Sequence, residues 1–423
     1  MADKVKLNEG KTKIIYQLPD SSPDSANGKN VLIKSKDRIS AGDGARANDM
    51  EGKAAISTAT NCTVFELLND CGVKTHFVKK YSDTEFIAQK CDMIPIEFVT
   101  RRIATGSFLR RNKGVKEGYR FFPPLAEYFF KDDENHDPQW SYEQLVEAKL
   151  SMGGITIGPR EIEIIGYTTR CVFEILEHAW AALDCSLVDM KIEYGVNAAG
   201  EILLADIIDN DSWRLWQSGQ RSLQKDKQIY RDLKEVTPDA LAKIKKSFEW
   251  VAEHAKLLSP SIEGQVVILM GSLRDESHSA EIASILKKLG VPVEQHVCSA
   301  HKGSAGTLKI VAKAEGTGIP TVFIAVAGRS NGLGPVVSGN TNSPVINCPP
   351  PSSQWASHDI WSSLRLPSGL GCTTVLSADT AAISAAQILA INNPVLWGKL
   401  RARQANTRIA LVKEDADLQS LKA

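Results

Sequence analysis

Neither sign of charge is in excess: 50 Lys and Arg face 50 Asp and Glu in 423 residues, a formal net charge of zero. Binding along a phosphate backbone needs a basic surface, so a general nucleic-acid-binding protein is excluded. A few focused cationic sites for small anions are not. Long apolar runs are missing too; the longest reach about ten residues, too short to span a bilayer. The opening MADKVKLNEG is charged from its third residue and has no apolar h-region, so no signal peptide is expected. Eight cysteines occur, at 62, 71, 91, 171, 185, 298, 348 and 372, and none forms C-x-x-C. Zinc ribbons and thioredoxin-like redox sites are thereby disfavoured, and buried free thiols in a reducing compartment are the simplest account. With 30 Gly and 18 Pro there is no collagen-like or disordered bias. A cytosolic protein of two or three domains is the expectation, with no membrane and no nucleic-acid partner.

The clearest joint lies near residue 260. Thr237 can N-cap a helix with Pro238 at its first position, and Leu241, Ile244, Phe248, Val251, Ala255 and Leu258 recur at spacings of three and four. Ser259-Pro260-Ser261 breaks that helix, and Gln265–Leu269 begins a new apolar strand. The expected division is 1–258, a linker at 259–264, and 265–423. Before the joint, strands are expected at Lys13–Leu18, Val31–Lys34, Thr75–Tyr81, Ile94–Arg102, Leu187–Tyr194 and Glu201–Ile208, with helices over about 47–71 and 161–181. The first part thus reads as α+β on antiparallel sheet. After the joint, strands at 266–269, 291–297 and 321–327 alternate with helices at 278–289 and 304–314, the pattern of a parallel sheet covered on both faces. Ligands on such sheets sit at the carboxyl ends of the strands. Gly271–Asp275, Ser299–Lys302 and Gly328–Gly334 all fall there.

In the first part, Glu9-Gly10-Lys11-Thr12-Lys13 is no Walker A loop. Val5 stands where its first glycine belongs, and a strand-like segment follows instead of a helix. A glycine turn between two strands with lysines reaching phosphates is the other phosphate-gripping arrangement, against a bland hairpin with solvated lysines. Asp189, Lys191 and Glu193 alternate, so they share a strand face. A hairpin closing near 198–200 puts Glu193 within a residue or two of opposite Asp206, and two such carboxylates with phosphates and water would make a Mg²⁺ site. Asp211 and Arg214 follow in a dense acidic and basic loop. Arg101 and Ser107 flank Gly106, supplying a guanidinium and a hydroxyl for a phosphate or carboxylate.

Together EGKTK, RRIATGSF, LVDMKIEYG, LADIIDNDSWRLW and KDKQIYRDLKEVTP resemble phosphoribosylaminoimidazole-succinocarboxamide synthase. MGSLRDESH, SAHKG, AVAGRSNGLGP and SSLRLPSGLGC resemble phosphoribosylaminoimidazole carboxylase. The joined order resembles the animal bifunctional enzymes of purine biosynthesis. This resemblance implies a kinase-like or ATP-grasp-like α+β ligase domain followed by a three-layer parallel-sheet α/β carboxylase domain. It implies ATP and Mg²⁺ without biotin, and a homo-octamer assembled through the second domain, for which Ala381–Ile391 offers apolar surface. The substrates implied are aminoimidazole ribotide, CO₂, carboxyaminoimidazole ribotide and L-aspartate.

Residue by residue, Gly10, Lys11 and Lys13 match the ATP-phosphate turn, and Glu193 and Asp206 the metal carboxylates. Arg101, Ser107 and Arg214 match the grip on the ribotide and its carboxylate; Asp211, Lys227 and Arg231 are carried over for substrate positioning. In the second part Gly271, Ser272 and Asp275 match phosphate and ribose contacts, Ser330 and Asn331 contacts to the imidazole and new carboxylate, and His301 the acid or base, with Lys302 supplying cationic charge beside it. Arg274 and Ser304 depart from the family pattern, which usually has a small hydroxyl residue and a proline there. A ligase fused to a catalytically silent nucleotide-binding or oligomerisation domain is the alternative.

Overall fold

A computed structural model describes residues 4–19, 21–41, 45–351 and 356–422. Contacts divide the chain into one unit of Met1–Ser259 with Arg401–Ala423, and a second of Pro260–Leu400. The sequence reading kept 265–423 together; residues 401–423 instead pack with the first unit, where Arg401 Nε donates to Glu174 (2.5 Å) and Asn406 Nδ2 to the Gly72 carbonyl (3.0 Å).

Two larger antiparallel sheets and two two-stranded ladders build the first unit. The smaller of the two sheets runs in the order Val5–Glu9, Lys13–Gln17, Asn30–Ser35, Glu85–Gln89, Phe77–Lys80. Helix Lys53–Cys71 buries Val64, Phe65, Leu67 and Leu68. It begins later than the 47–71 expected from the sequence. Arg46–Asp49 pairs as a strand with Arg38–Ala41, and Gly52 adopts φ +85°, a left-handed turn between ladder and helix. The larger sheet has seven strands centred on Cys185–Asn197, which pairs with Ile96–Ile103, Ile202–Ala205, Trp213–Gln217 and Cys91–Met93. Helix Pro159–Ala181 buries Ile162, Ile165, Val172, Phe173, Leu176 and Trp180, a run at helical spacing. Helix Pro238–Ala255 is capped as expected: Thr237 Oγ1 accepts from the Ala240 amide (3.2 Å).

The second unit is a five-stranded parallel sheet in the order Val293–Val297, Gln265–Met270, Thr321–Val326, Val345–Asn347, Cys372–Thr374. Numbered within the unit this is 2-1-3-4-5, a doubly wound order whose ligand crevice lies beyond the carboxyl ends of its first and third strands. Val266, Ile268 and Met270 face helices Glu276–Lys288 and Ala378–Ala390; Val267 and Leu269 face helices Ala300–Gly316 and Leu333–Ser338. The Ala381–Ile391 segment does not present an apolar face for subunits: Ala381, Ala382, Ala385 and Ala386 are fully buried in this unit's own core, and only Ile391 stands out, 73% exposed.

Candidate functional site

The register of the Cys185–Asn197 strand decides what meets in the first unit. Glu193 lies opposite Ala205, one residue before Asp206, as the hairpin reading required. Glu193 accepts from Lys131 Nζ (2.8 Å) and Lys191 Nζ (2.9 Å). Burial alone would raise its pKa, yet Lys191, Lys131 and Lys13 hold it at about 2. Asp206 sits at φ +66° and is paired with Lys13. Burial lowers the Lys13 ammonium to about 8.

A cleft of about 510 Å³ is lined by Lys191 and Asp206 but not by Glu193, Lys131 or Lys13. It gathers Lys11, Arg101, Ser107, Asp206, Asp211, Arg214, Lys227 and Arg231, eight of the residues singled out from the sequence. Gly10 begins the expected turn, its amide donating to the Lys13 carbonyl (2.9 Å), with Glu9 and Ile14 paired across it. Lys11 is exposed and bonded to Asp133 (3.0 Å).

Arg101 occupies a different position from that expected of a free substrate grip. Only 4% exposed, it is spent on Glu127 and on Asp189 Oδ2 (2.6 Å). The same Asp189 oxygen accepts from Arg214 Nη1 (2.5 Å), and Arg214 lines the cleft with Ser107, Arg111 and Arg231. Gly106 (φ +57°) lets the chain pass close: a Cβ there would lie 2.6 Å from Arg214 Nη2.

Asp211 Oδ2 accepts from Lys227 Nζ (3.1 Å) and Lys53 Nζ (3.5 Å), while its Oδ1 has no hydrogen-bond partner among the described residues. Burial opposes its charge, but Lys53 and Lys227 lower its pKa and keep it ionised. Its neighbour Asp209, bonded to Ser57, is pushed the other way by burial and by Asp211. Lys53, 2% exposed, was not foreseen: a lysine opening a helix carries no local sign that it will be buried against acids. Asp189 was visible in the alternation but given no role. Glu127 and Lys131 were hidden in and after a proline-containing strand. His76, 3% exposed, has its Nε2 3.0 Å from the Asp206 carbonyl oxygen; burial, then Lys13, push its pKa down to about 3.

Among the described residues no group of three or more His, Cys, Asp or Glu side chains is placed to hold an ion alone. Glu193 and Asp206 still fit Mg²⁺, which uses one or two carboxylates and completes its shell with phosphate and water oxygens.

In the second unit, Ser272 Oγ accepts from the Arg274 amide (3.3 Å) and Asp275 folds back towards Gly271, whose Cβ would lie 3.9 Å from Asp275 Oδ2. Arg274 itself is exposed, as is Ser304. Ser299 caps the next helix by accepting from the Lys302 amide (3.3 Å), and non-helical Gly303 separates the Ser299–Lys302 turn from the helix expected at 304–314. His301 meets the Gly328–Gly334 turn: a Cβ on Gly332 would lie 2.6 Å from His301 Nε2. Ser330 is exposed beside it, and Lys302 is exposed too. Asn331 points inward instead. It is 1% exposed, and its Nδ2 donates to Asn347 Oδ1 (2.9 Å) and Ser363 Oγ (3.0 Å), so it shapes the turn.

An antiparallel α+β unit with a charged cleft, joined to a doubly wound parallel unit with a histidine at its ligand edge, defines a two-module enzyme for small anionic substrates. The SAICAR synthetase family model matches residues 6–247 and the AIR carboxylase family model residues 265–409. The chain is 60% identical to multifunctional protein ADE2 of Gallus gallus, over 98% of this chain and 96% of that one. It is 58% identical, with the same coverage, to the bifunctional phosphoribosylaminoimidazole carboxylase/phosphoribosylaminoimidazole succinocarboxamide synthetase of Homo sapiens. The crystal structure of phosphoribosylaminoimidazole-succinocarboxamide synthase from Ehrlichia chaffeensis is 28% identical, with a TM-score of 0.51, covering 60% of this chain and 99% of that one. The chain belongs to this family of bifunctional purine-biosynthesis enzymes, which join a SAICAR synthetase module to an AIR carboxylase module.

Proposed function

We propose that the second unit adds CO₂ to aminoimidazole ribotide, and that the first uses ATP to join the resulting carboxylate to L-aspartate. The observation that carries this reading is the single cleft that gathers Lys11, Ser107, Asp206, Asp211, Arg214 and Lys227. In the ligase reaction a carboxylate oxygen of the ribotide attacks the γ-phosphorus of ATP, the bond to ADP breaks, and an acyl phosphate forms. The aspartate amine then adds to the acyl carbon, phosphate leaves, and an amine proton is lost.

Lys11 and Lys13 would draw phosphate charge, and Ser107 and Arg214 would hold the ribotide. Arg101 braces Asp189 and thereby Arg214. Asp211, kept ionised and lining the cleft with Lys227 and Arg231, would position the aspartate amine. Preorganised donors of this kind typically contribute ~10²–10³ in rate each. Glu193 and Asp206 supply hard oxygen donors suited to Mg²⁺, which would neutralise charge on the transferring phosphoryl group.

In the carboxylase reaction C4 of the electron-rich aminoimidazole forms a bond to CO₂, and its proton must then leave. His301 is the base at the sheet edge, and Lys302 adds positive charge. Gly271, Ser272 and Asp275 receive the ribotide's phosphate and ribose. Ser330 faces the new carboxylate from a turn that Asn331 holds in shape. Neither ATP nor biotin is used in this step. The protein acts in the cytosol as a homo-octamer.

Asp206→Asn tests the assignment. Ligase turnover should be lost while carboxylation without ATP stays near wild type, and equal loss of both contradicts it. His301→Asn should do the converse, lowering carboxylation by ~10²–10⁴-fold, the usual contribution of a positioned base. Carboxylation close to wild type in that variant would leave His301 a structural residue. Loss with ligase intact also removes the alternative of a silent second domain.

A further inference from the structure

We propose that His76 is a positioning residue that aims the Asp206 carboxylate into the ligase cleft. The proposal deepens the reading of Asp206 as a metal carboxylate and rests on it. The segment Lys74–His76 ties the two sheets of the first unit together. The Leu204 amide donates to the Lys74 carbonyl (3.1 Å), the His76 amide to the Leu204 carbonyl (2.8 Å), and the Gln89 amide to the His76 carbonyl (2.7 Å). Thr75 pairs with Leu204 as a parallel bridge. Strand Ile202–Ala205, which delivers Asp206, is thus fastened to strand Glu85–Gln89. That strand pairs with Asn30–Ser35, and Asn30–Ser35 pairs with the strand that Lys13 opens.

The side chain completes the fastening. His76 is buried between Phe65, 5.3 Å away between ring centroids, and Phe86, 6.0 Å away. Its Nε2 faces the Asp206 carbonyl oxygen at 3.0 Å, so Nε2 carries the proton and donates. The backbone it grips is in the left-handed region, φ +66°, where residues other than glycine are uncommon. A buried donor locked between aromatic rings holds that peptide, and the peptide sets where the Asp206 carboxylate points. Partners of this kind, one step removed from a ligand, typically change metal affinity ~10–100-fold when lost.

The test uses the full-length chain with Mn²⁺ and ADP, following free Mn²⁺ by electron paramagnetic resonance, for His76→Phe, His76→Gln and Asp206→Asn. Phenylalanine keeps a ring in the aromatic pocket and removes the donor, so affinity should fall ~10–100-fold. Glutamine returns an N–H at comparable reach and should bind near wild type. Wild-type binding in His76→Phe, or equal loss in both His76 variants, overturns the proposal. If His76→Phe does not fold, His76→Leu, which also lacks the donor, takes its place with the same two outcomes. Asp206→Asn separates the two failures. Unchanged Mn²⁺ affinity there removes the metal reading itself, whereas loss there with wild-type binding in His76→Phe removes only the positioning role.

Discussion

Glu193 keeps its charge in a place that disfavours charge. Burial acts to raise its pKa, and the ammonium groups of Lys191, Lys131 and Lys13 more than offset that, bringing it from 4.5 to about 2. A carboxyl more acidic in the folded than in the unfolded chain stabilises the fold above its unfolded pKa and loses that contribution as pH falls through its folded value. Glu193 therefore contributes about 3 kcal/mol at neutral pH, disappearing between pH 4.5 and 2. Urea unfolding of the first unit should show a shallower loss of stability over that window in Glu193→Gln than in wild type. Parallel pH profiles would mean that the lysines do not act on this carboxyl. At this scale the sequence was legible where chemistry followed local period: alternation placed Asp189, Lys191 and Glu193 on one face, and a short hairpin brought up Asp206. Lys53, Lys131 and Glu127 arrive from distant elements, and no local pattern marks them. Arg101 was legible as a site residue but not as one already committed to two carboxylates, because burial of its partners is a tertiary fact.

Elements place the carboxylase edge. Helix Leu333–Ser338 can start where it does because Gly334 has no side chain: a Cβ there would fall 1.7 Å from Asn347 Oδ1, which accepts from Asn331 Nδ2. Gly334→Ala must break that bond or move the helix, and overpacking of this kind costs about 1–3 kcal/mol. Because Asn331 shapes the turn against which His301 lies, carboxylation should fall sharply while ligase turnover in the same preparation stays near wild type. Unchanged carboxylation would show that the turn tolerates displacement. Helices with clean period and caps were legible: Thr237, Pro238 and the apolar run to Ala255 gave one to within a few residues. Two kinds of strand were not. Val345–Asn347 and Cys372–Thr374 are three residues each, too short for a period. Arg120–Phe130 contains Pro123 and Pro124, which argue against a strand from sequence, and the ladder passes them through an irregular register between Arg120 and Leu125.

On the scale of the whole molecule, the cut that sequence punctuation suggests at 259–264 differs from the cut that contacts define, because Arg401–Ala423 packs with the first unit. Ala402 and Ala405 are nearly fully buried there. With Ile409 they help close a cavity of about 270 Å³ that Cys171 and Tyr194 also line. Cys171 is 1% exposed, and burial raises its thiol to about 12, so it is inert in the intact chain. A chain ending at Leu400 loses this apolar cover, the Arg401–Glu174 pair and the Asn406–Gly72 bond. The loss amounts to about 2 kcal/mol by area and pair contributions. That corresponds to roughly 5 °C in the unfolding midpoint of a unit this size. The first unit should therefore melt earlier, and Cys171 should become reactive to a disulfide reagent, the added thiol signal vanishing in Cys171→Ser. Carboxylation by the second unit, whose core keeps Leu396 and Leu400 in the shortened chain, should persist. If the shortened chain keeps the wild-type midpoint and Cys171 stays unreactive, the C-terminal segment adds nothing to the first unit, and the division read from sequence is the better description of how this chain is built.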